Sequence, residues 1–336
     1  MISVVDTLPP VTEDERARLL AAPRTAEAHR ALMAEVPAMR MVQTGGQASV
    51  DRLPGRLSLV AWNLERCLFP EASAAHLTRL RPGIVLLSEM DHGMARTAQR
   101  HTTEAMAAAL GMAYAYGVEF HELDLGGPTE RGFCTDDFNA LGWHGNAILS
   151  AAPFRAVTLI RLDDHGHWFD ADPDQPRLGG RMALAAIVET EAGPLCVVST
   201  HLESNAGAAH RMAQMQVLLD GVDAFAPGIP TLIGGDLNTG NHIPPDYDWR
   251  AETLFDLARQ RGYCWDFTAD GTTTRPSLIT RHPDRVMKLD WFAGRGLIPL
   301  DTAILPSLSA DGQPLSDHDA VWCAACAEGH EQTAAM

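Results

Sequence analysis

Polar side chains that can carry protons, bind metal ions or donate hydrogen bonds stand beside several apolar runs in this chain. The runs LSLVAW, IVLLS, LCVVST and TLIGG have the composition of buried strands. Carboxylates, amides and imidazoles are costly to bury unless they are paired, hydrogen-bonded or bound to metal. We therefore expect one polar site assembled at the strand ends. Its candidate members are Asn63, Glu89, Asn146, His201, Asp236, Asn238, Asp290, Asp317 and His318.

The elements that would position these residues alternate between apolar strands and amphipathic helices, which indicates an α/β fold without selecting one architecture. One of the predicted helices spans residues 95–110, which are rich in Ala and Met. Residues 119–142 and 161–180 are long, polar and interrupted by Gly and Pro. Segments of that kind inside a domain are typical of loops that cover or build a site.

The motifs AWNLE, LLSEMD, GNAILS, STHLES, GGDLNTG, KLDWF and SDHDAV follow one another in an order that resembles the endonuclease/exonuclease/phosphatase superfamily. This superfamily includes DNase I, abasic-site endonucleases, bacterial sphingomyelinases and inositol-polyphosphate 5-phosphatases. The resemblance covers residues 57–325, and GGDLN followed by SDH is its most specific pair. It implies a DNase I-like, four-layer αββα sandwich of two mixed β-sheets flanked by helices, with the motif residues meeting at one end.

The motif positions also divide the chain. We predict a catalytic domain at residues 57–326, preceded by an N-terminal helical extension and linker at residues 1–56 and followed by a tail at residues 327–336. Thr12 and Glu15 form a capping-box pattern that predicts a helix through ERARLLAA, and AEAHRALMAEV predicts a second helix. Residues 45–56 read as the linker.

Composition and charge narrow the function. The net charge is −17 and Lys288 is the single lysine, whereas binding to duplex DNA draws much of its affinity from basic residues on phosphates. No apolar stretch has the length of a transmembrane segment, and no signal peptide is evident at the N-terminus. With six scattered cysteines in a large domain, we expect reduced thiols and a cytoplasmic location.

The oxygen-rich part of the candidate site suits a hard divalent cation, Mg²⁺ or Mn²⁺. The resemblance implies that Asn63, Glu89 and Asp317 surround one such ion. Glu65 lies two residues after Asn63, so in an extended strand it would face the same site as a further metal ligand or a contact to a cationic substrate group. The alternative is a solvent-facing glutamate paired with Arg66.

His318 is the strongest candidate for acid–base chemistry, because an imidazole exchanges protons near neutral pH. Asp290, a carboxylate within the apolar segment VMKLDWF, is its expected orienting partner. The resemblance implies that Asp236 orients or deprotonates the attacking water and that Asn238 hydrogen-bonds a phosphate oxygen. A turn at GGDLNTG is compatible with both roles. Whether His318 activates water or stabilises transition-state charge stays open at this point.

Three further residues are expected near the substrate phosphate. The resemblance implies that His201, at the end of LCVVST, contacts phosphate or assists the leaving group. Asn146 in GNAILS and Arg181 in GGRMALAA are placed near the same phosphate, although a surface ion pair is an equally good reading of Arg181.

The segment DDHGHWFDADPD carries His165 and His167 among carboxylates and suggests metal binding. A solvated surface loop explains such a segment more often, and sequence spacing alone fixes no third ligand for the two histidines.

These observations favour a phosphoester hydrolase dependent on Mg²⁺ or Mn²⁺ that acts on a small or lipid-derived phosphodiester or phosphomonoester. The first alternative is an endonuclease or exonuclease of the same fold, which the charge of −17 disfavours. A non-catalytic binding scaffold ranks last, because such a protein would be expected to have lost some of Glu89, Asp236, Asp290 and His318.

Overall fold

The structure is a computed structural model that describes residues 2–170, 175–243 and 247–328. Its strands are β1 (Ser3–Val5), β2 (Met41–Gly46), β3 (Arg56–Arg66), β4 (Ile84–His92), β5 (Ala113–Glu122), β6 (Trp143–Ser150), β7 (Phe154–Arg161), β8 (Arg177–Gly179), β9 (Met182–Thr190), β10 (Gly193–His201), β11 (Thr231–Asp236), β12 (Asp290–Arg295), β13 (Leu297–Leu305) and β14 (Ala320–Ala327). Its helices are α1 (Glu13–Ala21), α2 (Ala26–Glu35), α3 (Pro70–Thr78), α4 (Thr102–Leu110), α5 (Pro128–Arg131), α6 (His167–Asp170), α7 (Ala208–Phe225) and α8 (Leu254–Gln260). Short 3₁₀ turns occur at Pro37–Arg40, Ala95–Thr97 and Trp249–Ala251.

The described strands form two mixed sheets. The larger sheet has nine strands in the order β1-β2-β5-β6-β4-β3-β14-β13, with β8 paired to β5, and the smaller has five in the order β12-β11-β10-β9-β7. In the larger sheet β3 and β4 run parallel, and in the smaller sheet β10 and β11 do so. Parallel neighbours bring their carboxyl ends to the same edge, so the polar residues after these strands are brought together.

Alternation along the strands builds the layers. In β3, Leu59 and Ala61 face the core between the two sheets, whereas Val60 and Trp62 face the opposite side, where α3 and α4 pack. The outer face of the smaller sheet is covered by α7 and α8. The four-layer αββα sandwich predicted from the sequence is therefore confirmed.

The N-terminal 56 residues contain both predicted helices and also contribute strands to the larger sheet. Thr12 caps α1, and the expected capping box with Glu15 is present. The strand β2, which overlaps the start of the predicted linker, pairs with β5, and β1 pairs with β2. This segment is thus continuous with the larger sheet. Of the predicted tail, residues 329–336 lie outside the described part of the chain.

One predicted helix is interrupted. Residues 95–110 form a 3₁₀ turn followed by α4, because Ala98 takes a left-handed conformation (φ 52°) that no α-helix continues through. Within the described ranges, no helix is long and apolar enough to cross a membrane.

Candidate active site

Three polar residues lie side by side on adjacent strands of the smaller sheet, at the edge where β10 and β11 end. His201 ends β10, Asp236 ends β11 and Asp290 begins β12, and the strand register pairs His201 with Asp236 and Asp236 with Asp290. Directly opposed residues on neighbouring strands lie on the same face of a sheet. Strand register alone therefore brings these three side chains together, as expected from the sequence.

The loop before β14 places His318 against this row. Trp62 Nε1 donates a hydrogen bond of 2.9 Å to the carbonyl of His318, and Ser316 Oγ donates one of 2.6 Å to the carbonyl of Asn63. The loop is thus tied to the end of β3 in the other sheet. It bridges the two sheets and brings their functional side chains to one site.

His318 and Asp290 form a buried pair. The two side chains are joined by a 2.7 Å contact between Nδ1 and Oδ2, which fixes the ring orientation and leaves Nε2 facing the site. Burial alone would lower the pKa of His318, but the charges of Asp290 and Asp236 outweigh it and raise that pKa well above its usual value. The arrangement therefore favours the charged imidazolium.

Asp236 lies at the centre of the site. Its Oδ2 is 3.5 Å from His201 Nε2, 3.7 Å from His318 Nε2 and 3.1 Å from Asn63 Nδ2, which donates to it. Its Oδ1 accepts a 2.8 Å hydrogen bond from the backbone N–H of Asn238. One oxygen is held by the backbone, so the other is presented between two imidazoles.

Asn238 occupies a turn rather than an extended strand. Its φ is 49°, so its side chain does not follow the alternation of an extended strand. Its Nδ2 donates 3.0 Å to the carbonyl of Leu202, and its Oδ1 accepts 2.7 Å from Asn241. The Asx turn expected at GGDLNTG is present. Contact between Asn238 and a phosphate oxygen stays a prediction.

Two β-bulges aim the carboxylates of the larger sheet. The pairing of β3 with β4 shifts register between Asn63 and Arg66, and that of β4 with β6 shifts between Leu87 and Met90. Glu65 and Glu89, which lie within these bulges, have φ of 45° and 59°. Bulges next to active sites commonly redirect a side chain, and such φ values in residues other than glycine indicate strain at a functional position.

The redirected residues form a cluster of carboxylates with Asp317. Burial and the neighbouring Asp317 raise the pKa of Glu65 to about 9. Burial and the nearby Glu89 raise the pKa of Asp317. Glu89 itself contacts Arg66, and this positive charge outweighs burial and lowers the pKa of Glu89. Glu65 is 8% exposed and hydrogen-bonded to Ser277, so it is not the solvent-facing partner of Arg66 that was the alternative.

The carboxylate cluster fits a divalent cation. Glu65 is buried, Glu89 and Asp317 are half-buried, and the three carboxylates repel one another. A positive ion among them would favour their charged forms. Their oxygens and the amide of Asn63 are the donors that Mg²⁺ and Mn²⁺ prefer. The side-chain oxygen of Asn63 accepts from the backbone N–H of Glu65 at 3.0 Å, which leaves a second lone pair for an ion.

A second group lies deeper in the same site. The ligand atoms of Asp236, Asp290 and His318 fall within 4.8 Å of one another. These are the residues that the sequence assigned to proton transfer rather than to the metal.

Arg181 is buried and lies against His201, so the surface ion pair considered from the sequence is excluded. Its Nη1 is 2.8 Å from His201 Nδ1 and 2.7 Å from Glu119, and its Nε is 3.3 Å from Glu203. Sequence reasoning missed Glu119 and Glu203. A usable signal for Glu119 existed, because it is a carboxylate within the β-rich run AYAYGVEF, as Asp290 is within VMKLDWF.

Asn146 lies inside β6 and is fully buried. Its Nδ2 donates 3.1 Å to the carbonyl of Met182, the residue that follows Arg181. The structure thus ties Asn146 to the first residue of β9, directly after Arg181, and a direct contact with phosphate stays a prediction.

A buried ion-pair network supports the metal side of the site and was not predicted. Arg66 bridges Glu89 and Glu130, the second at 2.8 Å. Glu130 in turn contacts Arg96 at 3.0 Å, and Arg96 contacts Asp91 at 2.7 Å. Because every member has a partner, the network fixes the position of Arg66 beside Glu89.

Comparison with known proteins shows which proteins share this fold. A family model described as the Endonuclease/Exonuclease/phosphatase family matches residues 60–318, whereas no curated protein matches the chain. The endonuclease/exonuclease/phosphatase from Beutenbergia cavernae DSM 12333 superposes with a TM-score of 0.59 at 19% identity, covering 82% of this chain and 72% of that one. The human Nocturnin catalytic domain with bound sulfate anion gives 0.52 at 17% identity, covering 85% and 97%. D. rerio TDP2 complexed with single strand DNA product gives 0.51 at 17% identity, covering 80% and 98%.

At sequence identities this low, the three superpositions show a shared fold and nothing more. Members of the matched family are typically phosphoester hydrolases, and they generally use divalent metals. The match extends over most of the sequence and includes both the His318 loop and the strands that carry Glu89 and Asp236. The chain therefore belongs to the Endonuclease/Exonuclease/phosphatase family.

Proposed function

We propose that this protein is a phosphoester hydrolase dependent on Mg²⁺ or Mn²⁺ that acts on a small or lipid-derived phosphodiester or phosphomonoester. The observation that carries the proposal is the position of Asp236. It lies 3.5 Å from His201 and 3.7 Å from His318, beside the carboxylate cluster of Glu65, Glu89 and Asp317. This arrangement supports one reaction centre that combines acid–base groups with hard metal ligands.

Phosphoester hydrolysis requires neutralisation of phosphoryl charge, an activated water in line and stabilisation of the leaving oxygen. A divalent ion held by Asn63, Glu65, Glu89 and Asp317 would supply positive charge at the phosphoryl oxygens. The chain itself supplies positive charge beside His201, through Arg181. Its guanidinium is fixed by two carboxylates and needs no reorganisation when substrate binds.

His318 is suited to donate a hydrogen bond and positive charge rather than to accept a proton from water. Its Nδ1 is engaged by Asp290, and the surrounding carboxylates raise its pKa, so Nε2–H is presented to the site. Asp236, whose Oδ2 faces the site between the two imidazoles, is the better group to orient and deprotonate water. His201, adjacent to Arg181, is then placed to assist the leaving oxygen.

The substrate class is proposed from charge. The net charge of −17 opposes the long basic surface that duplex DNA requires, and the positive groups at this site suit a single phosphate. D. rerio TDP2 shares the fold and was captured with a DNA product, so a nuclease is the rival that an assay must separate.

The test is a metal-dependent screen of bis-nitrophenyl phosphate, nitrophenyl phosphate, nitrophenyl phosphorylcholine and plasmid DNA. We expect turnover of at least one small ester with Mg²⁺ or Mn²⁺ and little nicking of plasmid. His318→Ala should lower that turnover about 10²- to 10⁴-fold, whereas the exposed Asp301→Asn should not. Efficient plasmid nicking without turnover of any small ester would favour the nuclease. Metal binding without hydrolysis of any of the four would favour the non-catalytic scaffold.

A further inference from the structure

Three histidines meet outside the active site. His165 and His167 lie in the segment singled out from the sequence, and His210 comes from α7. The ring centroids are 5.8 Å apart for His165 and His167, 5.4 Å for His165 and His210, and 4.9 Å for His167 and His210. We call these residues the three-histidine cluster. The third ligand that sequence spacing could not fix is supplied by a distant helix.

These separations match imidazoles that share one tetrahedral ion. A zinc–nitrogen bond is about 2.0–2.1 Å long, and the ring centre lies about 1.1 Å beyond the nitrogen. Two rings on a tetrahedral ion therefore have centroids about 5 Å apart. The three observed distances bracket this value, whereas rings packed face to face would lie closer, as His92 and His101 do at 3.8 Å.

The backbone and a neighbouring carboxylate prepare the cluster. Gly166, between the two loop histidines, has φ of 70°, and a Cβ there would meet His29 at 2.8 Å, so only glycine allows this turn. Asp163 Oδ2 lies 3.3 Å from His210 Nε2. A carboxylate that engages one ring nitrogen fixes the tautomer and leaves Nδ1 for a metal, which is the usual support of a histidine ligand.

One nitrogen of the cluster lacks a partner. His167 Nε2 is buried and accepts or donates no hydrogen bond among the described residues. A buried polar atom without a partner is costly, and a bound ion would satisfy it. The nitrogens of the three rings do not all lie within 4.8 Å of one another, as the ligand atoms of Asp236, Asp290 and His318 do. Metal binding therefore requires the rings to rotate. His165 is exposed.

We propose that His165, His167 and His210 form a second metal site for Zn²⁺ or another divalent ion that prefers imidazole ligands. Its nitrogen donors separate it chemically from the oxygen-rich active site. Trp168, next to His167, donates 3.1 Å to Glu203, which holds Arg181 beside His201. Occupancy would therefore fix the loop against α7 and stabilise the wall of the active site.

The test is calorimetric titration of the chelator-treated, full-length protein with Zn²⁺ in excess Mg²⁺, which occupies oxygen-rich sites. The titration is run in the wild type and in His318→Ala, which removes the imidazole of the active-site group. Co²⁺ absorption then reports nitrogen ligation. His165→Ala, His167→Ala and His210→Ala are compared with His242→Asn, which removes an exposed histidine at φ 55°, a conformation that Asn tolerates.

We expect one Zn²⁺ to bind in the wild type and in His318→Ala with the same affinity. Loss of an outer partner of a metal ligand weakens binding about 10- to 100-fold, so loss of a ligand should weaken it at least about 100-fold. Each cluster variant should show this loss with an unchanged circular dichroism spectrum, and His242→Asn should bind as the parent does. The proposal is overturned if His318→Ala binds no Zn²⁺ at micromolar concentration, or if any one cluster variant retains the parent affinity.

Discussion

The pair of Asp290 and His318 yields the sharpest prediction. Asp290 is fully buried and His318 is 5% exposed, with 2.7 Å between Oδ2 and Nδ1. Replacing a positioned acid or base typically lowers the rate about 10²- to 10⁴-fold, so we expect His318→Ala to fall in that range. Asp290→Asn keeps an oxygen that can accept from Nδ1 but removes the charge.

The magnitude for Asp290→Asn follows from the hydrogen bond. A hydrogen bond to a charged group contributes about 1.5–3 kcal/mol, which is about 10- to 10²-fold in rate if all of it is realised in the transition state. Independent residues with losses of about 10³ and 10² would give a double variant slower by about 10⁵. If Asp290 acts only through His318, the double variant should be slower by about 10³, a coupling of about 2.7 kcal/mol.

The assay is turnover of bis-nitrophenyl phosphate at saturating metal for the wild type, both single variants and the double variant. Melting temperatures of all four and the turnover of Asp301→Asn serve as controls. Losses that multiply would refute the reasoning and show that Asp290 acts elsewhere, for example as a metal ligand. Losses that merely follow unfolding would show that the pair is structural.

Three further predictions rest on other parts of the site and fold. Glu89→Gln should raise the Mg²⁺ concentration needed for half-maximal turnover by more than about tenfold, because it removes a charged ligand. The exposed Glu71→Gln should leave that concentration unchanged. Equal activation curves for the two variants would contradict the role of Glu89 as a metal ligand. Arg181→Lys should raise KM and lower kcat together, since one ammonium cannot keep the contacts to Glu119, Glu203 and His201. Kinetics identical to those of the wild type would show that Arg181 does not act on the substrate. Burial lowers the pKa of His101 to about 2 and that of its stacked neighbour His92 to about 4. Below pH 6.5 the unfolded chain therefore binds more protons than the folded protein does, and the free energy of unfolding falls as the pH falls. His101→Phe should lower the slope of unfolding free energy against pH by about one proton, or about 1.4 kcal/mol per pH unit, between pH 6 and about 4. Denaturant unfolding at several pH values measures this slope, and an unchanged slope would contradict the prediction.

Much of the candidate site could be predicted because its residues interrupt apolar strands. His201 and Asp236 end parallel neighbours, and Asp290 is a carboxylate in an apolar segment, so burial and strand direction alone bring them together. The fold class followed from the order of motifs. The cytoplasmic location, by contrast, stays a prediction from cysteine usage.

What the sequence did not yield depends on pairing between distant segments. The bulges that aim Glu65 and Glu89 arise from register between neighbouring strands, and local sequence does not encode that register. The last two residues of β2 (MVQTGG) are glycines, so they read as the start of a linker until β5 pairs with the strand. Contact of His210 with the histidine-bearing loop likewise requires the docked position of α7.

The central claim is that the oxygen-rich cluster holds a catalytic metal for hydrolysis of a small phosphate ester. The most direct measurement is turnover of bis-nitrophenyl phosphate by chelator-treated protein as Mg²⁺ or Mn²⁺ is restored, with the metal content of the protein determined in parallel. We predict no turnover in chelator, recovery with either ion, and recovery of Glu89→Gln only at higher metal concentration. Full turnover in excess chelator by protein that retains no metal would contradict the account.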